Sequence, residues 1–171
     1  MPKNVNNYSL PAVWAPWRET FVLGKKEKGC IFCHRLQRKK DKTDLILFRG
    51  QTNFVLMNLF PYTSGHLMIV PNRHIAGLAE LTAEEAAEMM RLAARAVEGM
   101  KRAFRPDGFN LGMNLGRAAG AGVEGHLHLH VVPRWAGDAN FMPVVGQTKV
   151  FSVGLQKTYN LLYPYLNGRK K

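Results

Sequence analysis

The chain is short of three things: cysteine, acidic residues and long apolar runs. Two cysteines in 171 residues exclude a disulfide framework and make a reducing, cytoplasmic setting the expectation. No apolar stretch reaches the roughly 18–20 residues that span a bilayer, and the first residues lack the apolar centre of a secretion signal, so no membrane partner is expected. Asp and Glu number 12 against 24 Lys and Arg, a formal charge of +12 that favours an anionic partner such as a nucleotide, polyphosphate or nucleic acid. Part of that charge lies in the runs 35–42 and 169–171, which read as solvated surface, so charge alone does not make the chain a nucleic-acid binder. Repeats and low-complexity linkers are also missing. The chain reads as one domain, 1–171, with residues 1–29 an N-terminal extension that Trp14-Ala15-Pro16-Trp17-Arg18 packs against it.

What is present is a regular succession of elements. Leu45–Phe48 and Phe54–Leu59 read as strands around a turn at 49–52, and His66–Val70 reads as a third strand ended by Pro71. Lys25 to Cys33 reads as a loop. Thr82 and Glu85 have capping-box spacing and open a helix that runs to Phe104. Its apolar stripe is Met89, Ala93, Val97, Met100 and Phe104, while Glu84, Glu88, Arg91, Arg95 and Glu98 are expected to face water. Phe109–Asn114 and Gly125–Arg134 are two further strands, and a last helix covers Val153–Leu166. The order predicts an α+β domain: a largely antiparallel five-stranded sheet with a long helix and a C-terminal helix on one face.

The segment Gly125-His126-Leu127-His128-Leu129-His130-Val131-Val132 holds three of the six histidines at every second position. Side chains of a strand alternate between faces, so the three rings share one face, roughly 6.5–7 Å apart, while Leu127, Leu129 and Val131 point into a core. Three neighbours in such a row splay too far apart to close one metal tetrahedron, so at most one or two bind metal. A neutral imidazole can attack phosphorus. His128, flanked on both sides, is the natural nucleophile, provided its other ring nitrogen keeps a proton held by an acceptor. His130, if protonated, would stabilise charge on a phosphoryl oxygen. The Gly-rich stretch Gly116 to Gly122 feeds directly into this row, and its backbone N–H groups could cradle phosphate.

Cys30-Ile31-Phe32-Cys33 reads as half of a zinc site. A redox pair is the competing reading, but it lacks the βαβ surroundings of thioredoxin-like proteins. Of the histidines available as further ligands, His34 would strain against its own turn. Cys30, Cys33, His74 and His126 form the predicted structural Cys₂His₂ zinc site.

These residues together resemble the histidine triad (HIT) family, whose signature is His-x-His-x-His followed by two apolar residues, here His126 to Val132. The likeness runs through Asn58-Leu59-Phe60-Pro61-Tyr62-Thr63-Ser64-Gly65-His66, on to His74, and through Asn114-Leu115-Gly116. It continues at Pro133-Arg134-Trp135 and Gly137 to Met142 and, with Trp14–Arg18 and the cysteine pair, covers most of the chain. The branch it looks most like is that of the diadenosine tetraphosphate phosphorylases. The resemblance implies a HIT-like fold and a covalent nucleotidyl intermediate on His128. His130 and His66 would then lie around the phosphates, Asn58 at the ribose hydroxyls, and Leu59 and Phe60 against the base. Asn114, Gly120, Ala121 and Gly122 would hold phosphate. Without the histidine row, Asn58 would read as a strand-end cap and Asn114 as a turn former. The resemblance also implies structural zinc, Mg²⁺ accompanying the substrate, inorganic phosphate or water as acceptor, and a homodimer. One departure stands out: relatives with a phosphate-binding serine just before the row contrast with Gly122-Val123-Glu124-Gly125 here. Glu124 brings negative charge near a polyanion, and Gln147 and Lys149, just after the Gly137 to Met142 segment, are the residues that would have to offset it.

The leading expectation is therefore an enzyme that cleaves dinucleoside polyphosphates. A hydrolase of adenosine phosphoramidates or simple nucleotides is the alternative within the family. A zinc-stabilised basic RNA-binding module is the alternative from another class, and it leaves the register of the histidines unexplained.

Overall fold

A computed structural model describes residues 29–138, 145 and 152–168. The expectations for the N-terminal extension, Trp14–Arg18, Gln147 and Lys149 lie outside the described residues. Five strands, β1 (Ile46–Arg49), β2 (Asn53–Met57), β3 (Leu67–Pro71), β4 (Gly108–Gly112) and β5 (Leu129–Arg134), form one sheet. Its order is β1-β2-β3-β5-β4 and every neighbouring pair is antiparallel. The α+β class and the five-stranded antiparallel sheet are as the sequence predicts. No helix among the described residues is long and apolar enough to cross a membrane.

Alternation decides which residues fill each side of the sheet. Odd-numbered Leu47, Val55, Met57, Leu67, Ile69, Leu129 and Val131 enter the main core. Two helices cover that face: the long one, Ala83–Phe104, and the C-terminal one, Leu155–Leu166. The predicted stripe is buried at Met89, Ala93 and Met100, with Val97 and Phe104 packed at its margin. The capping box is present: Glu85 N–H donates to Thr82 Oγ1 at 3.2 Å, and Thr82 N–H donates to Glu85 Oε2 at 2.9 Å. Even-numbered Ile46, Phe54, Leu56, Met68 and Val70 form a smaller cluster on the opposite face.

That second face is covered where the sequence predicts a loop running into the cysteine pair. Helix α1 (Ile31–Arg38) starts immediately after Cys30, with a short turn of helix, α2 (Asp41–Asp44), behind it; in this order the long helix is α3 and the C-terminal helix α4. Phe32 is its one buried residue and plugs the second cluster. Ile31 and Leu36 pack beside Phe32, but eight residues are barely two turns, too short a window for a periodic pattern to stand out from the loop that leads into it.

Glu88 departs from its expected place on the wet face of α3. Its carboxylate accepts hydrogen bonds from the backbone N–H groups of Gln51, Thr52 and Asn53 and from the Thr52 hydroxyl, at 2.6–2.9 Å. It thereby ties the β1–β2 turn to the helix. The approach needs glycine at Gly50, where a Cβ would stand 2.7 Å from Glu88 Oε1. Burial pushes the Glu88 carboxyl up, but the bonds from Thr52, Gln51 and Asn53 outweigh it and hold the pKa at about 2.

Because the folded-state pKa is depressed, this contribution is complete above the unfolded carboxylate value and is lost as pH falls toward 2. Glu88→Gln removes the negative charge that all these donors share and turns an amide N–H toward at least one of them, and should destabilise the fold by about 2 kcal/mol at pH 7. In urea titrations the gap between wild type and variant should close between about pH 4.5 and 2. A gap independent of pH would show that the carboxylate is not what holds the turn.

Candidate active site

The ladder between β3 and β5 stops at Ile69 opposite Leu129. Two residues on, β3 ends in Pro71, which has no N–H to donate. Its carbonyl accepts instead from His126 Nε2 at 2.9 Å. Regular pairing of β5 therefore begins later than predicted, and only His130 stands within the strand. His126 and His128 lie in the extended lead-in, anchored by Leu127 N–H donating to Ile75 O at 2.6 Å. The alternation persists nonetheless: Leu129 and Val131 enter the main core, and His130 pairs across the sheet with Met68 of the second cluster. All three rings are buried.

His126 turns toward the cysteines. Its Nδ1 lies 3.2 Å from Cys30 Sγ and 3.6 Å from Cys33 Sγ, and Cys33 Sγ lies 3.4 Å from His74 Nδ1. The four ligand atoms fall within 4.8 Å of one another. A zinc tetrahedron with bonds of about 2.3 Å to sulfur and 2.0 Å to nitrogen has sulfur–nitrogen edges of roughly 3.5 Å, so the set fits. The Pro71 carbonyl adds to that fit. It holds the His126 proton on Nε2 and leaves Nδ1 as the donor atom, the outer-sphere arrangement usual for metal-bound imidazole. The elements joined are α1, the loop after β3 and the lead-in to β5.

His128 turns elsewhere. Its Nδ1 lies 2.8 Å from the His126 carbonyl, which can only accept, so the proton is on Nδ1 and Nε2 carries the lone pair. Burial lowers the pKa of His128, against the opposing pull of that hydrogen bond, and so favours the neutral ring. Phe32 lies against it at 5.2 Å between centroids and also touches the His126 ring at 5.5 Å.

A second relay fixes His130. The Tyr62 N–H donates to His66 Nδ1 at 3.0 Å, so the His66 proton is on Nε2. That nitrogen stands 2.9 Å from His130 Nδ1 and donates to it. The remaining proton of His130 is then on Nε2, which is buried with no hydrogen-bond partner. An orphaned buried donor beside the lone pair of His128 calls for an acceptor from a ligand. Burial first, and then the neighbouring His128 ring, push His130 down to about 4, which favours a neutral N–H donor.

The other predicted positions gather around this pair unevenly. Gly65, at φ +92°, makes the turn that delivers His66, and a Cβ there would press on Pro133 at 3.2 Å. Asn58 behaves as a strand-end cap: its Oδ1 accepts from Phe60 N–H at 2.9 Å, and its Nδ2 lies 3.4 Å from His66 Nδ1. Leu59 and Phe60 are 43% and 47% exposed, open to a ligand. Asn114 reaches the Tyr62 hydroxyl at 3.5 Å, and the Tyr62 ring stacks beside His66 and His130 at 4.5 and 5.6 Å. Sequence reasoning passed over Tyr62 and Phe32, whose only signal is their place next to the turn and the cysteine pair. The expected glycine cradle is partly spent: Gly120 N–H donates to Arg117 O and Ala121 N–H to Gly116 O, because the chain makes a 3₁₀ turn there.

Comparison with known proteins follows the same lines. The HIT domain matches residues 39–137. The chain is 46% identical over 161 residues to the AP-4-A phosphorylase of Mycobacterium tuberculosis, an alignment that covers 90% of this chain and 83% of that protein. It is 34% identical over 89 residues to the bis(5'-adenosyl)-triphosphatase of Dictyostelium discoideum, covering 52% of this chain and 59% of the other. Among solved structures, a Zn-bound histidine triad family protein from Mycobacterium smegmatis superposes with a TM-score of 0.65 at 25% identity, covering 82% of this chain and 94% of that one. With its paired imidazoles, its cysteine–histidine cluster and this kinship, the chain belongs to the HIT family.

Proposed function

We propose that the protein is a nucleotidyl-transferring enzyme that cleaves dinucleoside polyphosphates, diadenosine tetraphosphate foremost. The observation that carries the reading is the pair of complementary tautomers, a lone pair on His128 Nε2 beside an unpartnered N–H on His130. The kinship with a protein named AP-4-A phosphorylase supports the substrate. His128 Nε2 attacks the α-phosphorus. The bond from that phosphorus to the bridging oxygen breaks, and the electron pair leaves with the departing nucleotide. AMP stays on His128 through a nitrogen–phosphorus bond, and the ring's new positive charge is eased by its Nδ1–H to the His126 carbonyl. The His130 N–H donates to a phosphoryl oxygen whose charge grows during transfer. An oxygen of inorganic phosphate then attacks the same phosphorus, releasing ADP and restoring His128; water in its place gives AMP. Asn58, Leu59 and Phe60 receive the nucleoside, and Mg²⁺ accompanies the substrate's phosphates.

Cys30, Cys33, His74 and His126 hold structural zinc in this reading, in a reducing cytoplasmic setting that keeps both sulfurs out of disulfides and able to give up their protons to a metal. Zinc would supply no chemistry to the substrate; it would clamp the lead-in that presents His128. A homodimer belongs to the same reading, since the outer residues 110–112 of edge strand β4 are exposed and open edges invite pairing.

Three outcomes test these assignments. Incubation with adenine-labelled diadenosine tetraphosphate should give acid-labile, protein-bound adenylate. His128→Ala should abolish the label and lower turnover by at least about 10³-fold; undiminished labelling would remove His128 as nucleophile. Quenching the reaction with phosphate present should yield ADP, and AMP alone would assign water as the acceptor. The purified chain should carry one equivalent of zinc. Cys33→Ser should lose the zinc and lower Tm by more than about 10 °C, whereas an unchanged Tm would make the cluster dispensable to the fold.

A further inference from the structure

The loop between β4 and β5 crosses the histidine face from end to end. At its start Asn114 bonds the Tyr62 hydroxyl, whose ring lies beside His66 and His130. At its finish Val123 packs on the Phe32–Met68 cluster, and a Cβ at Gly125 would stand 3.7 Å from the His74 ring. The stretch that joins these two ends stands open: a Cβ at Gly116, Gly120 or Gly122 would meet nothing within 4 Å. Within it, Arg117 Nε donates to Glu124 Oε1 at 2.9 Å, the two side chains being 90% and 44% exposed. Such a pair is held weakly and exchanges readily for a stronger partner. Two of the three N–H groups expected to grip phosphate are engaged inside the 3₁₀ turn, so the task passes to a side chain.

We propose that Arg117 grips the phosphates beyond the one attacked, and that Glu124 is its resting counterion, given up when a polyphosphate enters. The inference rests on the reading of the site as a dinucleoside polyphosphate enzyme. The planar guanidinium fork matches two phosphate oxygens, and a polyphosphate carrying several charges outcompetes one carboxylate. A nucleoside monophosphate has no phosphate past the α position and leaves the ion pair intact. The pair therefore sets a preference for long phosphate chains, and it gives Glu124 a role: it neutralises the loop between turnovers and does not simply repel substrate.

Binding measured by calorimetry, on the full chain carrying His128→Ala to prevent turnover, separates the possibilities. Arg117→Gln should weaken diadenosine tetraphosphate about tenfold and change AMP by less than about twofold. Glu124→Gln should strengthen the tetraphosphate about threefold, and this gain should vanish in the Arg117→Gln background. A gain that persists there would mean that Glu124 acts by plain repulsion. Loss of affinity in both single variants would make the pair a structural latch, and equal losses for AMP would place Arg117 at the α-phosphate; each result overturns the proposal. Failure of the parent to bind either nucleotide would overturn the reading of the site itself, and this inference with it.

Discussion

Everything in this molecule depends on the two-residue period of the segment from His126 to Val132. Leu129 and Val131 are locked into the core beneath the two long helices, and that burial forces the histidines onto the other face. A slip of one residue would exchange the faces, burying imidazole in the main core and exposing leucine. His128 is therefore positioned by the packing of its neighbours, before any contact of its own. Packing also explains how residues so close in sequence diverge in role. Once Pro71 ends the ladder, the lead-in is free to turn His126 toward sulfur while His128 stays over the ligand side.

Much of this was legible in the chain because it is written in short periods. The alternation of β2, β3 and β5 and the capping box of α3 come from local sequence, and the grouping of Cys30 and Cys33 with His74 and His126 follows from the CxxC pair and from where those two histidines stand in the chain. What was hidden depends on partners distant in sequence. Glu88 looks like a solvent residue by helical phase, and only the β1–β2 turn, brought back 35 residues in the chain, makes it a cap. The protonation of His130 was left open by the sequence because composition cannot report burial, and burial favours the neutral ring. The glycine loop looked like a phosphate cradle, yet its own 3₁₀ turn uses the groups the cradle would need.

Helix α1 is built around one fully buried ring. Phe32, with Ile31 and Leu36 packed beside it, fills the second cluster, touches His126 and His128, and sits between the two cysteines. The cluster of sulfur and nitrogen ties its start, and ion pairs from Arg38 to Asp44 and from Arg49 to Asp41 tie the chain beyond its end. A basic run that reads as solvated surface is thus partly a scaffold for the face where the rings lie.

The relay from the Tyr62 amide through His66 to His130 has an electrostatic corollary. Every proton in it is committed to a neutral ring, so the interior offers a polyanion directional dipoles and no formal charge. Long-range attraction must then come from the net formal charge of the chain, +12. Capture and chemistry are consequently separable: added salt should slow arrival while leaving the bond-breaking step inside almost untouched.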